Sequence, residues 1–372
     1  MMDRRSMLKW TGLMGGATLM NGVQYLETWE RKLNGFKTEK GEKVVKLDSN
    51  ENPFGPSKSM REAMMMGMDE GYLYPWKRVS ELAGRIAESV GVPRDHILVT
   101  AGSREGLSAA GVTYASNGRE VITCSPTFDA LMTYAARFGG YINSVPLDKT
   151  HGFDLDTMER RISSHTGLVF VCNPNNPTGS ILRGEDLKSF CTEVSKRTIV
   201  FVDEVYYDYI DERNYPTMID LVKEGKNVIV ARTFSKIYGL AGIRVGFLVA
   251  RPEIVARLRA NQMASSNIMG VMAAQAALQD KEFYKESLQR NLDARQFLYS
   301  FFDGMGMEYL TSHTNFVYFK SGRNIEKLIG QMAEYNVIIG RPFPPMMEWC
   351  RISTGTMEDM YTFGDALRKV MA

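Results

Sequence analysis

Short apolar runs alternate with amphipathic stretches through the middle of the chain. Each run is continuous and rich in β-branched residues, which is typical of strands buried on both faces of a parallel sheet. The segments between the runs have helical spacing, so residues 61–264 are predicted to form a large α/β domain whose mostly parallel sheet is flanked by helices. The predicted strands are 97–99, 121–123, 168–171, 199–202, 228–230 and 245–249.

The pattern changes near residue 265. A long amphipathic helix is predicted over 270–302, and short strands are predicted near 315–319 and 337–339. This order of elements predicts a smaller α+β domain over 265–372. We expect residues 25–60 to form an N-terminal arm that joins this smaller domain.

The N-terminus carries two adjacent arginines, Arg4 and Arg5, before a weakly apolar stretch at 10–20 that is interrupted by glycines. This arrangement is similar to a Tat export signal. The stretch is too short and too broken to span a membrane. We therefore expect residues 1–24 to direct export to the periplasm without a stable membrane anchor. The alternative is a basic start on a cytoplasmic protein.

The composition is that of an ordinary globular protein, with 44% hydrophobic and 24% charged residues among 372. A net charge of +2 argues against binding to nucleic acid. The four cysteines and four histidines have no metal-ligand spacing, so no metal site is expected. Cys124 and Cys172 lie in apolar runs and are interpreted as small buried hydrophobic residues.

Two charged residues stand at the ends of predicted strands, where ligands bind in open α/β sheets. Lys236 follows the run that ends at Ala231, and a lysine there suits a desolvated amine that forms a Schiff base with a carbonyl cofactor. Asp203 ends another buried strand, and a buried carboxylate needs a cationic partner. The simpler interpretations are a solvated loop lysine and an acid that caps a helix.

An anion site is predicted after the first strand of the large domain. Gly102, Ser103 and Arg104 connect that strand to a helix. Backbone amides at a helix N-terminus, with the helix dipole behind them, bind anions. Ser235 adds a hydroxyl group and Arg244 adds a guanidinium group to this predicted site. The contribution of the Arg104 side chain is left open.

These strand-end residues match the signature of one enzyme class. The matching residues are Asn176 within the segment NPNNPTG, Asp203 with Tyr206, Ser235 with Lys236, and Arg244. The set resembles the signature of fold-type I pyridoxal-phosphate enzymes. More narrowly, segments 49–57 and 232–236 resemble the histidinol-phosphate aminotransferase branch of the class I and II aminotransferases. The resemblance extends over roughly residues 45–370.

The resemblance implies pyridoxal 5'-phosphate as the cofactor and transamination as the reaction. The amino group would move between an L-amino acid, or an amino-alcohol phosphate such as histidinol phosphate, and a 2-oxo acid such as 2-oxoglutarate. A decarboxylase or racemase of the same branch is the alternative, because the cofactor stabilises the carbanion that forms when any one of the bonds at Cα breaks. A non-catalytic regulator that binds the cofactor is a more remote alternative.

The resemblance also implies a role for each residue of the signature. Lys236 would hold the cofactor covalently and, once displaced by substrate, move the proton between Cα and the cofactor. Asp203 would keep the pyridine nitrogen protonated. Asn176 and Tyr206 would hydrogen-bond the phenolic oxygen of the ring. Phe128 would lie over the ring face, unless it only fills the core.

Three further residues are implied to bind groups at the edge of the site. Tyr74 resembles a tyrosine that reaches the cofactor phosphate of the partner subunit, which implies a homodimer with shared active sites. Arg351 fits the arginine that binds the substrate α-carboxylate in a bidentate pair, with Asn176 beside it. Arg341 stands where phosphate-recognising relatives bind the distal group of the substrate. The alternatives for Arg341 are a distal carboxylate or a loop cap.

Overall fold

A computed structural model describes residues 43–372 of the protein. The predicted export signal and the first part of the predicted N-terminal arm lie outside the described residues, and they stay predictions. Within the described part of the chain, no helix combines the length and the apolar character that crossing a membrane requires.

The large sheet has seven strands, and it confirms the predicted mostly parallel architecture. In spatial order the strands are β2 (Ile97–Thr100), β8 (Gly246–Val249), β7 (Val228–Thr233), β6 (Ile199–Asp203), β5 (Thr166–Cys172), β3 (Glu120–Ser125) and β4 (Tyr141–Pro146). Strand β8 runs antiparallel to both of its neighbours, and the other pairs are parallel. The sequence pattern did not predict β4, because this edge strand is mostly exposed and lacks a continuous apolar run.

Amphipathic helices flank this sheet and form one core with it. The helices of the described residues are α1 (Lys58–Asp69), α2 (Trp76–Val90), α3 (Ser103–Ala115), α4 (Ala130–Arg137), α5 (Leu155–Arg160), α6 (Gly184–Val194), α7 (Ile219–Lys223), α8 (Pro252–Arg259), α9 (Ile268–Ala277), α10 (Lys281–Gly304), α11 (Ile325–Ala333) and α12 (Met357–Met371). Short 3₁₀ turns occupy Arg94–His96, Tyr207–Tyr209 and Ala241–Ile243. Strands β5, β6 and β7 are nearly inaccessible to solvent, so the polar residues that follow them are held in fixed places.

A second core lies in the C-terminal part of the chain. Its antiparallel sheet has the order β12 (Trp349–Ser353), β10 (Phe316–Lys320) and β9 (Tyr309–Leu310). A separate two-stranded parallel ladder joins β1 (Val45–Leu47) to β11 (Val337–Ile339). This ladder attaches the described end of the predicted N-terminal arm to the second core.

The prediction of one continuous helix over 270–302 was wrong, because two helices, α9 and α10, occupy this segment. Helix α9 ends before Asp280. The Asp280 side chain caps α10 by accepting a hydrogen bond from the Phe283 amide at 3.1 Å. Helix α9 is buried on nearly all sides, and its residues Val271 and Ala274 belong to the core of the large sheet. The core of the large sheet therefore continues past residue 265 to Ala277, and Phe283 also packs against it.

Candidate active site

A cavity of about 640 Å³ opens where the parallel strands end, between the large sheet and the C-terminal core. Residues that the sequence predicted from distant segments line it together: Ser103, Arg104, Phe128, Asn176, Asp203, Tyr206, Ser235, Lys236, Arg244, Arg341 and Arg351. Parallel strands bring their carboxyl ends to one edge of a sheet, which explains why these residues meet. The size of the cavity is in the range that holds a small ligand or cofactor.

Lys236 lies three residues beyond β7, and its amine faces the cavity. The Nζ atom donates a hydrogen bond to the Asn50 carbonyl oxygen at 3.0 Å and lies 5.4 Å from the centre of the Tyr206 ring. Burial, and secondly the positive charge of Arg351, lower the pKa of Lys236 to about 7. A large fraction of this amine is therefore neutral and nucleophilic near neutral pH.

Asp203 ends β6 and is 1% exposed. Its Oδ1 atom accepts a long hydrogen bond of 3.4 Å from the Val205 amide. Burial raises the pKa of Asp203 to about 7, well above the usual value for an aspartate. A buried carboxylate of this kind is stabilised in its ionised form by a cationic partner.

The anion end of the cavity lies where α3 begins. Gly102 has a φ of +79°, and a Cβ at this position would overlap the Arg244 guanidinium group. Arg244 Nη1 donates to the Ser235 hydroxyl oxygen at 3.4 Å and to the Ala241 carbonyl oxygen at 2.7 Å. No side chain caps the first turn of α3. Amides of that turn, a hydroxyl group and a guanidinium group thus converge at one end of the cavity.

Arg351 lies on β12 and is 6% exposed. Its Nη1 atom donates to the Asn176 side-chain oxygen at 2.7 Å, and its Nη2 atom donates to the Asp48 carbonyl oxygen. The Nε atom is buried and has no hydrogen-bond partner within the described residues. Burial lowers the pKa of Arg351 to about 10. The guanidinium group remains positively charged near pH 7, and one of its donors is unused.

Arg341 faces the same cavity from the loop after β11. Its Nη2 atom forms an ion pair with Asp129 Oδ2 at 3.4 Å, and its guanidinium carbon lies 4.1 Å from the centre of the Phe343 ring. On the other wall, the Arg104 guanidinium carbon lies 5.8 Å from the centre of the half-buried Phe128 ring. The cavity is therefore rich in arginine at both ends.

Asn50 belongs to the site, although the sequence analysis assigned it no role. Its Nδ2 atom donates a hydrogen bond to the Tyr206 hydroxyl oxygen at 2.9 Å, and its backbone carbonyl oxygen accepts a hydrogen bond from the Lys236 amine. Asn50 has a φ of +54°, a conformation that asparagine adopts more readily than most residues. Its position within segment 49–57 was the available signal, because that segment carried part of the family resemblance.

Behind the site, a buried ion pair holds the turn that follows Asp203. Glu204 is 2% exposed and accepts from Arg232 Nη2 at 2.6 Å and from Arg232 Nε at 2.9 Å. The Arg232 guanidinium carbon lies 3.9 Å from the centre of the Tyr207 ring. Sequence reasoning missed this pair, which fixes the strand end that presents Asp203.

Comparison with known proteins identifies the family. Residues 42–367 match the family described as aminotransferase class I and II. Histidinol-phosphate aminotransferase from Moorella thermoacetica is 37% identical to this chain, and the alignment covers 88% of this chain and 86% of that protein. Histidinol-phosphate aminotransferase from Caldicellulosiruptor saccharolyticus is 34% identical, and the alignment covers 92% of this chain and 96% of that protein. The crystal structure of histidinol-phosphate aminotransferase from Sinorhizobium meliloti with pyridoxal-5'-phosphate has a TM-score of 0.83 at 27% identity, covering 89% of this chain and 92% of that one.

The chain belongs to the class I and II aminotransferases. The predicted fold class, enzyme class and cofactor are thereby confirmed: the protein is a pyridoxal-phosphate-dependent aminotransferase of fold type I. The cavity fits this cofactor on structural grounds. It offers an amine of lowered pKa at Lys236, a buried acid at Asp203 that needs a cation, and an anion cradle that is open because Gly102 has no Cβ.

Tyr74 is the one predicted site residue of this aminotransferase that lies away from the cavity. It precedes α2, is 81% exposed and stacks on Trp76 with the ring centres 5.6 Å apart. Exposed apolar side chains surround it in sequence, among them Met68, Tyr72 and Leu73. A single chain therefore does not bring Tyr74 to its own cavity.

Within residues 43–372, no group of three or more histidine, cysteine, aspartate or glutamate side chains is placed so that it could bind a metal ion. All four cysteines are free and buried. Burial raises the pKa of the Cys124 thiol to about 12, so this sulfur stays protonated at neutral pH. Cys172 borders the cavity, and burial likewise raises the pKa of its thiol.

The pKa of Asp203 predicts a pH-dependent stability in the cofactor-free aminotransferase. The folded protein keeps this proton between about pH 4 and pH 7, where the unfolded chain has lost it, so stability falls as pH rises through this window. Asp203→Asn cannot ionise. Its free energy of unfolding relative to wild type should therefore rise by roughly 2 kcal/mol between pH 5 and pH 7.

Urea unfolding of both cofactor-free proteins at several pH values measures this difference. Asp156→Asn is the matched control, because its carboxylate is exposed on α5 and should show no such trend. A stability difference between Asp203→Asn and wild type that stays constant from pH 5 to pH 7 would contradict the raised pKa.

Proposed function

We propose that this aminotransferase moves an amino group between an L-amino acid, or an amino-alcohol phosphate such as histidinol phosphate, and a 2-oxo acid such as 2-oxoglutarate. One observation carries the proposal: the Lys236 amine, with its pKa lowered to about 7, faces a cavity that Asp203 and Arg351 also line. The names of the relatives from Moorella and Caldicellulosiruptor favour histidinol phosphate among the donors.

The family resemblance gives each residue a role, and the positions of the residues around the cavity support these roles. When bound, pyridoxal phosphate withdraws electrons from the substrate Cα and makes its proton acidic. The Lys236 amine would hold the cofactor covalently and, once free, would act as the base that takes and returns the Cα proton. Asp203 supplies the negative charge that keeps the pyridine nitrogen protonated, since both partners are stabilised when the buried carboxylate faces a cation. Asn176 and Tyr206 hold the ring by hydrogen bonds to its oxygen.

The phosphate of the cofactor binds at the start of α3. Amides of the first turn, beginning at Ser103, would donate to the phosphate oxygens, and the helix dipole would add a favourable potential. Ser235 contributes a hydroxyl group, and Arg244 contributes a charged donor that already contacts it. Burial, and secondly the positive charge of Arg104, lower the pKa of Arg244, so Arg104 adds positive charge at this end.

The substrate lies on the opposite side of the cavity. Arg351 would bind the α-carboxylate of an amino acid or 2-oxo acid, using the Nε donor that has no partner among residues 43–372 and the donor that now bonds to Asn176. Arg341 then faces the distal group of the donor, which is a phosphate or a carboxylate in this proposal. Both arginines contact the Phe343 ring, whose centre lies 4.1 Å from the Arg341 guanidinium carbon and 5.1 Å from that of Arg351.

We further propose a homodimer in which Tyr74 reaches the cofactor phosphate of the partner subunit. The support is the exposure of Tyr74 and its apolar neighbours on the monomer surface. Sedimentation of the full chain at micromolar concentration tests this proposal. A monomer that transaminates at full rate would remove Tyr74 from the site.

Transamination by the cofactor-loaded protein should depend on Lys236. With a panel of donors that includes histidinol phosphate and aromatic and acidic amino acids, wild type should form the oxo product and glutamate from 2-oxoglutarate. Lys236→Ala should lower kcat by about 100-fold or more, because the substitution removes the base that takes the Cα proton. Lys196→Ala, an exposed lysine remote from the cavity, is the control.

Product analysis separates this reaction from its alternatives. Release of carbon dioxide, or loss of chirality without an oxo product, would identify a decarboxylase or racemase. Full turnover by Lys236→Ala would refute the assigned role of the lysine.

Gly102→Ala should weaken cofactor binding by about tenfold or more, since the new Cβ displaces the Arg244 guanidinium group from the phosphate end. Gly118→Ala is a matched control, because Gly118 has a similar φ of +81° and open space around its Cβ position. Fluorescence titration of the cofactor-free proteins with pyridoxal phosphate measures both. Equal losses in the two variants would show that backbone strain, and not Arg244, sets the affinity.

A further inference from the structure

Asp129 stands opposite Arg341 at the distal end of the cavity. Its carboxylate comes from the large domain and the arginine comes from the loop after β11, so the ion pair bridges the two cores across the cavity. The Asp129 and Arg341 side chains are 35% and 23% exposed, respectively. A ligand that enters the cavity can therefore reach both partners of the pair.

The orientation of Asp129 is not explained by the helix that follows it. Asp129 precedes α4, and an aspartate at this position normally accepts a hydrogen bond from an amide in the first turn. Here its side chain makes no such bond, and Oδ2 instead accepts from Arg341 Nη2 at 3.4 Å. The carboxylate thus lies against the arginine and lines the cavity.

The position of this pair relative to Arg351 fixes which part of a substrate it meets. The guanidinium carbons of Arg341 and Arg351 lie 4.1 Å and 5.1 Å from the centre of the same Phe343 ring, so the two arginines are neighbours. Burial lowers the pKa of Arg351, and the positive charge of Arg341 lowers it further. A donor whose α-carboxylate binds Arg351 extends its far end toward Arg341. An anionic far end must then share the guanidinium group with Asp129 and lie close to a like charge.

We propose that Asp129 is a specificity-determining residue that restricts the charge of the distal group. By occupying Arg341, it disfavours donors whose distal group is an anion relative to donors whose distal group is neutral and hydrogen-bonding. This inference rests on the proposed function for the assignment of Arg351 to the α-carboxylate. It goes beyond that function because it assigns to Asp129 the control of how strongly Arg341 binds a phosphate or carboxylate.

Binding of two inert ligands to the cofactor-loaded full chain tests the inference without turnover. Glutarate and its monoamide have the same length and differ in the charge of one end. In Asp129→Asn, calorimetry should show glutarate gaining affinity relative to the monoamide by about tenfold, equivalent to about 1.4 kcal/mol. Asp129→Glu, which keeps the charge, should stay near the wild-type ratio, and Asp156→Asn should not change it.

Arg341→Ala completes a double-mutant cycle. Without the arginine the competition for its guanidinium group is gone and only the like-charge repulsion remains, so adding Asp129→Asn should change the affinity ratio less than it does in wild type. A structural role for Asp129 would weaken both ligands alike and leave the ratio unchanged, which would overturn the inference. Matching melting temperatures confirm that the variants are folded.

The same variants assayed with glutamate and glutamine as donors separate this inference from the proposed function. Absence of oxo product in wild type from these donors and from histidinol phosphate, with the shift in the binding ratio intact, would refute the proposed reaction and leave the role of Asp129 supported. Normal turnover with an unchanged ratio in Asp129→Asn would refute the role of Asp129 alone.

Discussion

The burial of ionisable groups at the ends of two neighbouring parallel strands is the constraint on which the site depends. Lys236 and Asp203 lie where water is largely excluded, and burial brings the pKa of both groups to about 7 from opposite directions. Neither charge is well stabilised by the protein alone. The aldehyde of the cofactor reacts with the neutral amine, and the protonated ring nitrogen stabilises the ionised carboxylate. One ligand therefore suits both residues.

The rest of the fold keeps these two groups in place. Strands β6 and β7 are buried along their length, and the Glu204–Arg232 ion pair fixes the turn after Asp203. The N-terminal arm closes the cavity from the other core, because β1 pairs with β11 and delivers the Asn50 carbonyl oxygen to the Lys236 amine. Arg351 and Arg341 reach the cavity from that same core. The site is therefore complete only when both cores are folded and packed together.

The strand-end residues of the site were predictable from the sequence, because parallel strands place their carboxyl ends at one edge whatever the loops do. Lys236, Asp203 and Ser103 follow from this rule. Asn50 and Asp129 did not follow, since their partners Tyr206 and Arg341 lie far away along the chain and only the folded structure brings them together. The interruption between α9 and α10 was also missed: apolar spacing continues across it, and the capping role of Asp280 decides where the second helix begins.

The central claim is that the Lys236 amine is the group that holds the cofactor. Reduction of the loaded protein with borohydride makes that bond permanent, and peptide mapping by mass spectrometry then locates it. The account predicts a single pyridoxyl-phosphate adduct on the peptide that contains Lys236, and no adduct at that position in Lys236→Ala. A stoichiometric adduct on another lysine, with Lys236 unmodified, would contradict it.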